Sequence, residues 1–163
     1  MLKLDRFDIA ILKALARDGR MTKSRLAAEI HLSISPAWER VRRLEAAGVI
    51  RGYRASLDWT RVVQTGRIIV EITLSRHTAA DLQRFEDRVR RSPEVTQCDA
   101  TGGGLDYVMH VVSRDIDHYQ RFMDCLLTEG LGIERYFTYV VTKVVKERDD
   151  VVPSWIGTAV TRE

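Results

Sequence analysis

The side chains best suited to recognise another molecule lie in a short basic run, Glu39–Arg43. Guanidinium groups bind phosphates and can donate two parallel hydrogen bonds to a guanine edge. Hydroxyl and aromatic side chains lie just before this run, and the mixture is typical of a helix that contacts DNA. The residues predicted to contact DNA are Ser33, Ser35, Trp38, Glu39, Arg40, Arg42, Arg43 and Arg51.

Several of these residues also have a purely structural interpretation. The arginines suit a solvated helix face, and Ser35 suits the N-cap of a helix. Trp38 suits packing between helices, and Glu39 suits an ion pair with Arg42 or Arg43 on the same helix. Because successive residues on a helix are about 100° apart, the arginines need not all face the same way.

Two short amphipathic helices are predicted to position these side chains. Apolar residues recur at helical spacing in residues 22–30, and again as Ala37, Val41 and Leu44. His31–Ser33 between them is long enough only for a sharp turn. Such a pair is a helix-turn-helix, whose second helix enters the major groove of DNA.

A third helix, predicted over residues 5–18, completes the small core of this head. Asp5 is expected to cap its start and Gly19 to end it. Gly48 is expected to end the second helix of the pair. Residues 49–57 then predict an extended strand or a small wing beside the DNA-reading helix.

The remainder of the chain has a different pattern of apolar and polar residues. Apolar and polar residues alternate in four segments, which predicts strands, and two segments with helical spacing lie between them. The strands are expected over residues 68–75, 94–101, 105–111 and 133–145, and the helices over 78–89 and 116–126. This β-α-β-β-α-β order predicts an α+β, ferredoxin-like domain with both helices on one face of the sheet. Ile133–Val145 is expected to be the longest strand.

The last predicted strand is apolar or aromatic on both faces. Phe137, Tyr139 and Val141 alternate with Tyr136 and other large residues. A sheet with two apolar faces requires a second partner, so we expect a homodimer whose sheets pack face to face.

Composition narrows the possible functions. The 163 residues are 45% hydrophobic and 30% charged, as in ordinary globular proteins. No apolar run approaches the roughly 20 residues of a membrane span, and the N-terminus lacks an apolar signal segment, so a cytoplasmic location is expected. Residues 1–60 hold 12 Lys and Arg against 7 Asp and Glu, whereas the remainder has a net charge of −2. This asymmetry favours contact of the first third with a polyanion.

The residue pattern gives little indication of a catalytic site. The four histidines are scattered, and neither they nor Cys98 and Cys125 have the spacing of metal ligands. No nucleophile and base are paired. Accordingly no catalytic residue, metal site or cofactor is predicted, and an enzyme is not favoured. Gly102–Gly104 is not a nucleotide-binding fingerprint, and by itself suits an ordinary hairpin turn.

Taken together, several short motifs resemble one protein family. They are the ERVRRLE run at 39–45, Gly48-Val49-Ile50, Asp106-Tyr107 and Thr138-Tyr139-Val140-Val141. These residues, with the order of the predicted elements, resemble the leucine-responsive regulator/AsnC family over residues 4–147. The resemblance implies a winged helix-turn-helix domain over 1–53, a linker strand over 54–66, an ACT-like ligand-binding and oligomerisation domain over 67–147 and a tail over 148–163.

The same resemblance implies a function. Members bind double-stranded DNA as dimers that commonly form tetramers or octamers, and their second domain binds an amino acid or related metabolite, usually where two dimers meet. Transferred to this sequence, the effector-binding residues are Gly102, Gly103, Gly104, Asp106, Thr138, Tyr139 and Val140. Glycine amides suit an effector carboxylate, and Asp106 suits its ammonium group or the support of the loop. Tyr139 suits sheet packing equally well.

Two positions depart from the family pattern. The family loop often reads Gly-Asp-X-Asp-Tyr, whereas residues 103–107 lack the first acid, so the usual effector cannot be assumed. Ile34 replaces a frequent proline, so the base preference is not transferable either. The alternatives to a metabolite-responsive regulator are a ligand-independent architectural DNA-binding protein and a small-molecule-binding enzyme subunit.

Overall fold

The computed structural model of the chain describes residues 2–57 and 61–146. The chain divides into two compact units, and the change from one to the other lies between Ser56 and Leu57. The first unit is helical, and the second contains a four-stranded antiparallel sheet with two helices. The predicted α+β fold class is confirmed. Within the described ranges, no helix has both the length and the apolar character needed to cross a membrane.

Three helices build the described part of the first unit. They are α1 (Arg6–Arg17), α2 (Lys23–Glu29) and α3 (Ile34–Ala46). The Asp5 side chain caps α1 as predicted, and it forms a reciprocal capping box with Asp8. Ile11, Val41 and Leu44 are fully buried and form the core between the helices.

The end of α3 follows the predicted glycine stop. Ala47 is the C-cap, and Gly48 has a φ of 69°, the left-handed conformation that glycine adopts without strain. The Val49 amide donates to the Leu44 carbonyl at 3.0 Å, which closes the last turn. Beyond it, the strand expected over residues 49–57 does not form, because no described segment pairs with these residues.

The same holds for the predicted linker strand over residues 54–66. Residues 54–57 and 61–65 are outside any strand, and pairing begins only at Gly66. Residues 58–60 and the predicted tail over 148–163 lie outside the described residues.

The second unit has the predicted split βαβ order. Its elements are β1 (Gly66–Leu74), α4 (Ala79–Arg90), β2 (Val95–Ala100), β3 (Tyr107–Ser113), α5 (Ile116–Thr128) and β4 (Ile133–Val140). The strand order is β2-β3-β1-β4, and all neighbours are antiparallel.

The last strand is shorter than predicted. β4 ends at Val140, and β1 is the longest strand with nine residues. The reason is the length of its partner: β1 begins at Gly66, and the Val141 amide still donates to the Arg67 carbonyl at 2.9 Å. Residues 142–145 extend past the start of β1 and have no strand beside them.

The two faces of the sheet differ in character. Val70, Ile72 and Met109 point to the helices and are fully buried with Phe85 and Met123. The opposite face, which we call the open face, is not covered by any helix of the described residues. Register places Phe137 opposite Glu71 and Tyr139 opposite Ile69 on this face, and both aromatic side chains are about half exposed.

Candidate DNA interface and effector loop

The side chains of the recognition helix α3 include a buried set and an exposed set that point in opposite directions. Its buried positions, Ala37, Val41 and Leu44, have spacings of four and three residues. Another set with the same spacing, Ser35, Glu39 and Arg42, is exposed. Counting 100° per residue, the two sets lie on opposite sides of the helix. We call Ser35, Glu39 and Arg42 the outward stripe; it is the part of α3 that a duplex can approach.

Arg42 and Glu39 on the outward stripe have no bound partner among the described residues. Arg42 forms no ion pair or hydrogen bond there, so its guanidinium remains available to an external anion. The ion pair considered between Glu39 and an arginine of the same helix is not formed. Ser33 is the N-cap residue of α3, but its side chain makes no capping hydrogen bond, so its exposed hydroxyl is also available.

Arg40 and Arg43 have a different environment, because both bind the buried carboxylate of Asp8 in α1. Asp8 is fully buried; its Oδ1 accepts from Arg40 Nη1 at 3.0 Å, and its Oδ2 accepts from Arg43 Nη2 at 2.5 Å. Arg40 also donates to Asp5 at 2.6 Å, and the Asp5 amide donates to Asp8 at 2.9 Å. We call this set of four side chains the Asp8 clamp; it ties the recognition helix to α1.

The charges of the clamp reinforce one another. Burial acts to raise the pKa of Asp5, but the Asp8 amide and the Arg40 guanidinium outweigh it and hold that pKa below its ordinary value. The hydrogen bond to Asp5 raises the pKa of Arg40. Sequence reasoning missed Asp8; the one local signal was its position three residues after the cap residue Asp5.

Trp38 supports the packing interpretation. Its ring is partly buried against the core of the helical unit, and Lys23 Nζ lies 3.9 Å from the ring centroid. The indole Nε1 is buried and has no hydrogen-bond partner among the residues that the structure describes. The remaining predicted residue, Arg51, is exposed in the segment after α3 and has no partner in the described chain.

In the second unit, Asp106 fixes the loop that connects β2 to β3. Its Oδ2 accepts from the Leu74 amide at 2.7 Å, and His77 Nε2 lies 2.8 Å from Oδ1. Its own amide donates to the Ile72 carbonyl at 2.9 Å. Burial acts to raise the pKa of Asp106, but the Leu74 amide and the His77 side chain outweigh it and lower that pKa. Of the two roles considered for Asp106, the contacts favour support of the loop.

The three glycines of this loop face open space. A Cβ atom added at Gly102, Gly103 or Gly104 would have no neighbour within 4 Å, and all three residues are exposed. Gly103 has a φ of 142°, which other residues adopt only with strain. The loop therefore presents backbone amides to its surroundings without side chains in the way.

The predicted effector residues on β4 do not meet this loop within one chain. The loop leads into Tyr107, which lies at the same level of the sheet as Ile72 and Tyr136. Val140 lies four residues beyond Tyr136 along β4, a separation of roughly 13 Å. The three predicted residues also differ in direction, because Thr138 binds the Tyr119 hydroxyl on the helix side whereas Tyr139 binds Glu71 on the open face.

Other reactive groups do not form a recognisable centre. No cluster of three potential metal ligands occurs in the described ranges. Burial raises the pKa of Cys98 to about 11, so its thiol is a poor nucleophile at neutral pH. A groove of about 380 Å³ lies between α4 and α5, but it includes none of the predicted residues, and Arg88 in it is bound to Glu129.

Comparison with known proteins places both units. Residues 4–51 match the family model of a winged helix-turn-helix DNA-binding domain, and residues 67–151 match that of the Lrp/AsnC ligand binding domain. Transcriptional regulatory protein DoeX of Halomonas elongata is 54% identical over 145 residues, which are 89% of this chain and 92% of that protein.

Two further comparisons agree with these. The leucine-responsive regulatory protein of Escherichia coli is 34% identical over 149 residues, 91% of each chain. The solved structure of a Neisseria meningitidis transcriptional regulator in complex with L-Met superposes with a TM-score of 0.82 at 30% identity, covering 88% of this chain and 93% of that one.

Proposed function

This chain belongs to the Lrp/AsnC family of transcriptional regulators, and from that premise we propose that it binds specific DNA sequences and that an amino acid or related metabolite controls its assembly and DNA affinity. The proposal includes action in the cytoplasm without a catalytic step. The observation that carries it is the outward stripe of α3, a row of polar side chains that bind no other described residue and lie on the second helix of a helix-turn-helix.

In the DNA contact that we propose, the roles of the predicted residues are divided. Ser33, Ser35, Glu39 and Arg42 approach the duplex directly, and Arg51 reaches the adjacent phosphates. Arg43 keeps an exposed side-chain fraction of 48% despite its bond to Asp8, so one edge of its guanidinium can also approach a phosphate. Arg40 and Trp38 act mainly by fixing the orientation of α3, since both are engaged within the head.

The effector in this proposal is a small molecule with a carboxylate. Its carboxylate meets the amides of Gly102–Gly104, where no side chain obstructs approach. An amino acid is supported by the L-Met complex of the Neisseria regulator and by the name of the leucine-responsive relative. Because the first acid of the family loop is absent here, the usual effector of the family is not assumed.

The open face of the sheet is the surface through which we propose that the chains assemble. Phe137 and Tyr139 are half exposed there beside Ile69, an arrangement that favours burial against a second copy. We propose a homodimer and, from it, a tetramer or octamer. Because the loop and Thr138–Val140 lie apart in one chain, the proposed effector pocket takes them from different copies. A ligand bound between copies shifts assembly and thereby DNA affinity.

The proposal can be tested with the full chain and a library of randomised DNA duplexes. We expect one sequence to be enriched, and its affinity to change at least fivefold when one of the twenty amino acids is added, with a parallel change in sedimentation. Enrichment of no sequence would refute specific binding. Specific binding that no amino acid alters would favour the ligand-independent architectural protein.

A further inference from the structure

We propose that Glu39 determines base specificity by accepting a hydrogen bond from the N4 amino group of a cytosine in the major groove. This inference rests on the proposed DNA-binding function and names the base that one residue of the outward stripe reads. Its premise is an unusual feature of the recognition helix: a free carboxylate in the middle of the surface that a polyanion would approach.

The Asp8 clamp explains why this carboxylate is free. Glu39 precedes Arg43 by four residues, the spacing at which Glu and Arg normally pair on a helix. Arg43 instead turns to the buried carboxylate of Asp8, at 2.5 Å. Arg42, three residues after Glu39, also forms no bond with it. Glu39 is therefore exposed on the outward stripe, between Ser35 and Arg42, with no cation bound to it among the described residues.

Electrostatics restrict where such a group can lie in a complex. A carboxylate beside DNA phosphates is repelled by them, so it is tolerated only where it accepts a hydrogen bond. In the major groove, the donors are the N4 amino group of cytosine and the N6 amino group of adenine. Adenine presents its N7 acceptor next to that donor, which suits an amide but repels a carboxylate with no hydrogen to donate. Cytosine presents no such acceptor beside N4, so it is the base that fits Glu39.

Position on the helix agrees with this assignment. Glu39 lies in the second turn of α3, and the N-terminal residues of a recognition helix are the ones that reach base edges. Its direction is opposite to the buried Ala37, Val41 and Leu44, so the carboxylate points directly away from the core of the head.

The test compares the sites selected from randomised duplexes by the wild type, Glu39→Gln and Glu39→Ala, each as the full chain. We expect the wild type to require cytosine at one position of each half-site. Gln matches the N6 and N7 pair of adenine, so Glu39→Gln should shift that position towards adenine. Glu39→Ala should lose the preference, and discrimination against the other bases should fall roughly ten- to a hundredfold.

Glu45→Gln provides the matched control. Glu45 lies on the same helix, but it accepts from the Tyr53 hydroxyl at 2.9 Å, away from the outward stripe. The Glu45→Gln substitution changes the net charge by the same amount as Glu39→Gln. Because Glu45 lies away from the outward stripe, this substitution should leave the selected bases unchanged. If both Glu39 variants select the same bases as the wild type, the assignment is wrong. If the wild type itself enriches no sequence, the proposed function fails instead, so the two failures are distinguishable.

Discussion

Asp8 in the helical unit and Asp106 in the sheet unit are both carboxylates that fix a functional element, but in different ways. Asp8 is fully buried and binds two guanidinium groups of the recognition helix. The Asp106 side chain keeps an exposed fraction of 21% and binds a backbone amide and the exposed imidazole of His77. The first arrangement buries the carboxylate completely although its arginine partners stay partly exposed, and the second leaves one edge of the carboxylate open to solvent.

The difference indicates how each element is suited to its task. Bonds to a buried charge are expensive to break, so the outward stripe keeps one orientation whether or not DNA is bound. Contacts at a solvent-exposed edge are weaker, so we expect the loop to adjust more readily to the proposed effector. We therefore expect the head to keep its orientation and the proposed response to arise in the second unit.

The largest expected effect comes from removing both cations of the Asp8 clamp. Arg40→Met combined with Arg43→Met leaves the Asp8 carboxylate buried without a counter-charge. We expect the free energy of unfolding of the helical unit to fall by about 3–5 kcal/mol. Hydrogen exchange of the α1 and α3 amides in the full chain measures this loss.

The matched control adds Asp8→Asn to the double variant. Asn is neutral and can still accept from the Asp5 amide, so at least half of the lost protection should return. A loss below about 1 kcal/mol in the double variant would show that Asp8 does not depend on these arginines, and the contrast with Asp106 would disappear.

A smaller effect is expected at Asp106, and it should depend on pH. Asp106→Asn removes the charge that the Leu74 amide and His77 stabilise, at a cost of about 1 kcal/mol near neutral pH. The folded pKa of Asp106 is lowered, so this stabilisation is complete above the ordinary carboxyl value and is lost as pH falls through the folded pKa.

Urea unfolding of the wild type and Asp106→Asn at pH 6 and pH 3 checks the sign. The difference between the two proteins should be larger at pH 6 and should shrink at pH 3. An equal or larger difference at pH 3 would mean that the ionised carboxylate does not hold the loop.

The smallest effect separates two neighbouring glycines. Gly103→Ala forces a φ of 142° on a residue with a side chain, so we expect a loss of roughly 1 kcal/mol. At Gly104 no such angle is required and the added methyl group meets open space, so Gly104→Ala should change stability by less than about 0.5 kcal/mol. Thermal unfolding of the two variants compares them, and equal losses would contradict the assigned loop geometry.

Local patterns predicted the elements of this fold well. The alternation in β1 and β3 and the helical spacing in α3 each report burial within one element, so they require no knowledge of distant residues. The predicted end of β4 was wrong because the observed end depends on where β1 begins, about 70 residues earlier. Of the strand or small wing expected after α3, the strand does not form, because no described strand lies beside residues 49–57.

The contacts within the two candidate sites were harder to predict from the sequence, because they also depend on residues that are distant in the chain. The bonds from Arg40 and Arg43 to Asp8 join residues more than 30 positions apart, and no local pattern shows which arginine turns inward. Likewise, only the strand register shows that Gly102–Gly104 and Thr138–Val140 do not meet within one chain. The DNA-contacting and effector-binding roles of these residues stay predictions.

We expect Arg42 on the outward stripe to contact DNA and Arg40 to position the helix, and the salt dependence of binding separates these two roles. The slope of log affinity against log salt concentration is measured on the selected duplex for the wild type, Arg42→Gln and Arg40→Gln. Losing one phosphate contact should reduce the magnitude of this slope by roughly 0.9. We expect this reduction for Arg42→Gln, and an unchanged slope with weaker binding for Arg40→Gln. A reduced slope for Arg40→Gln together with an unchanged slope for Arg42→Gln would contradict this division of roles.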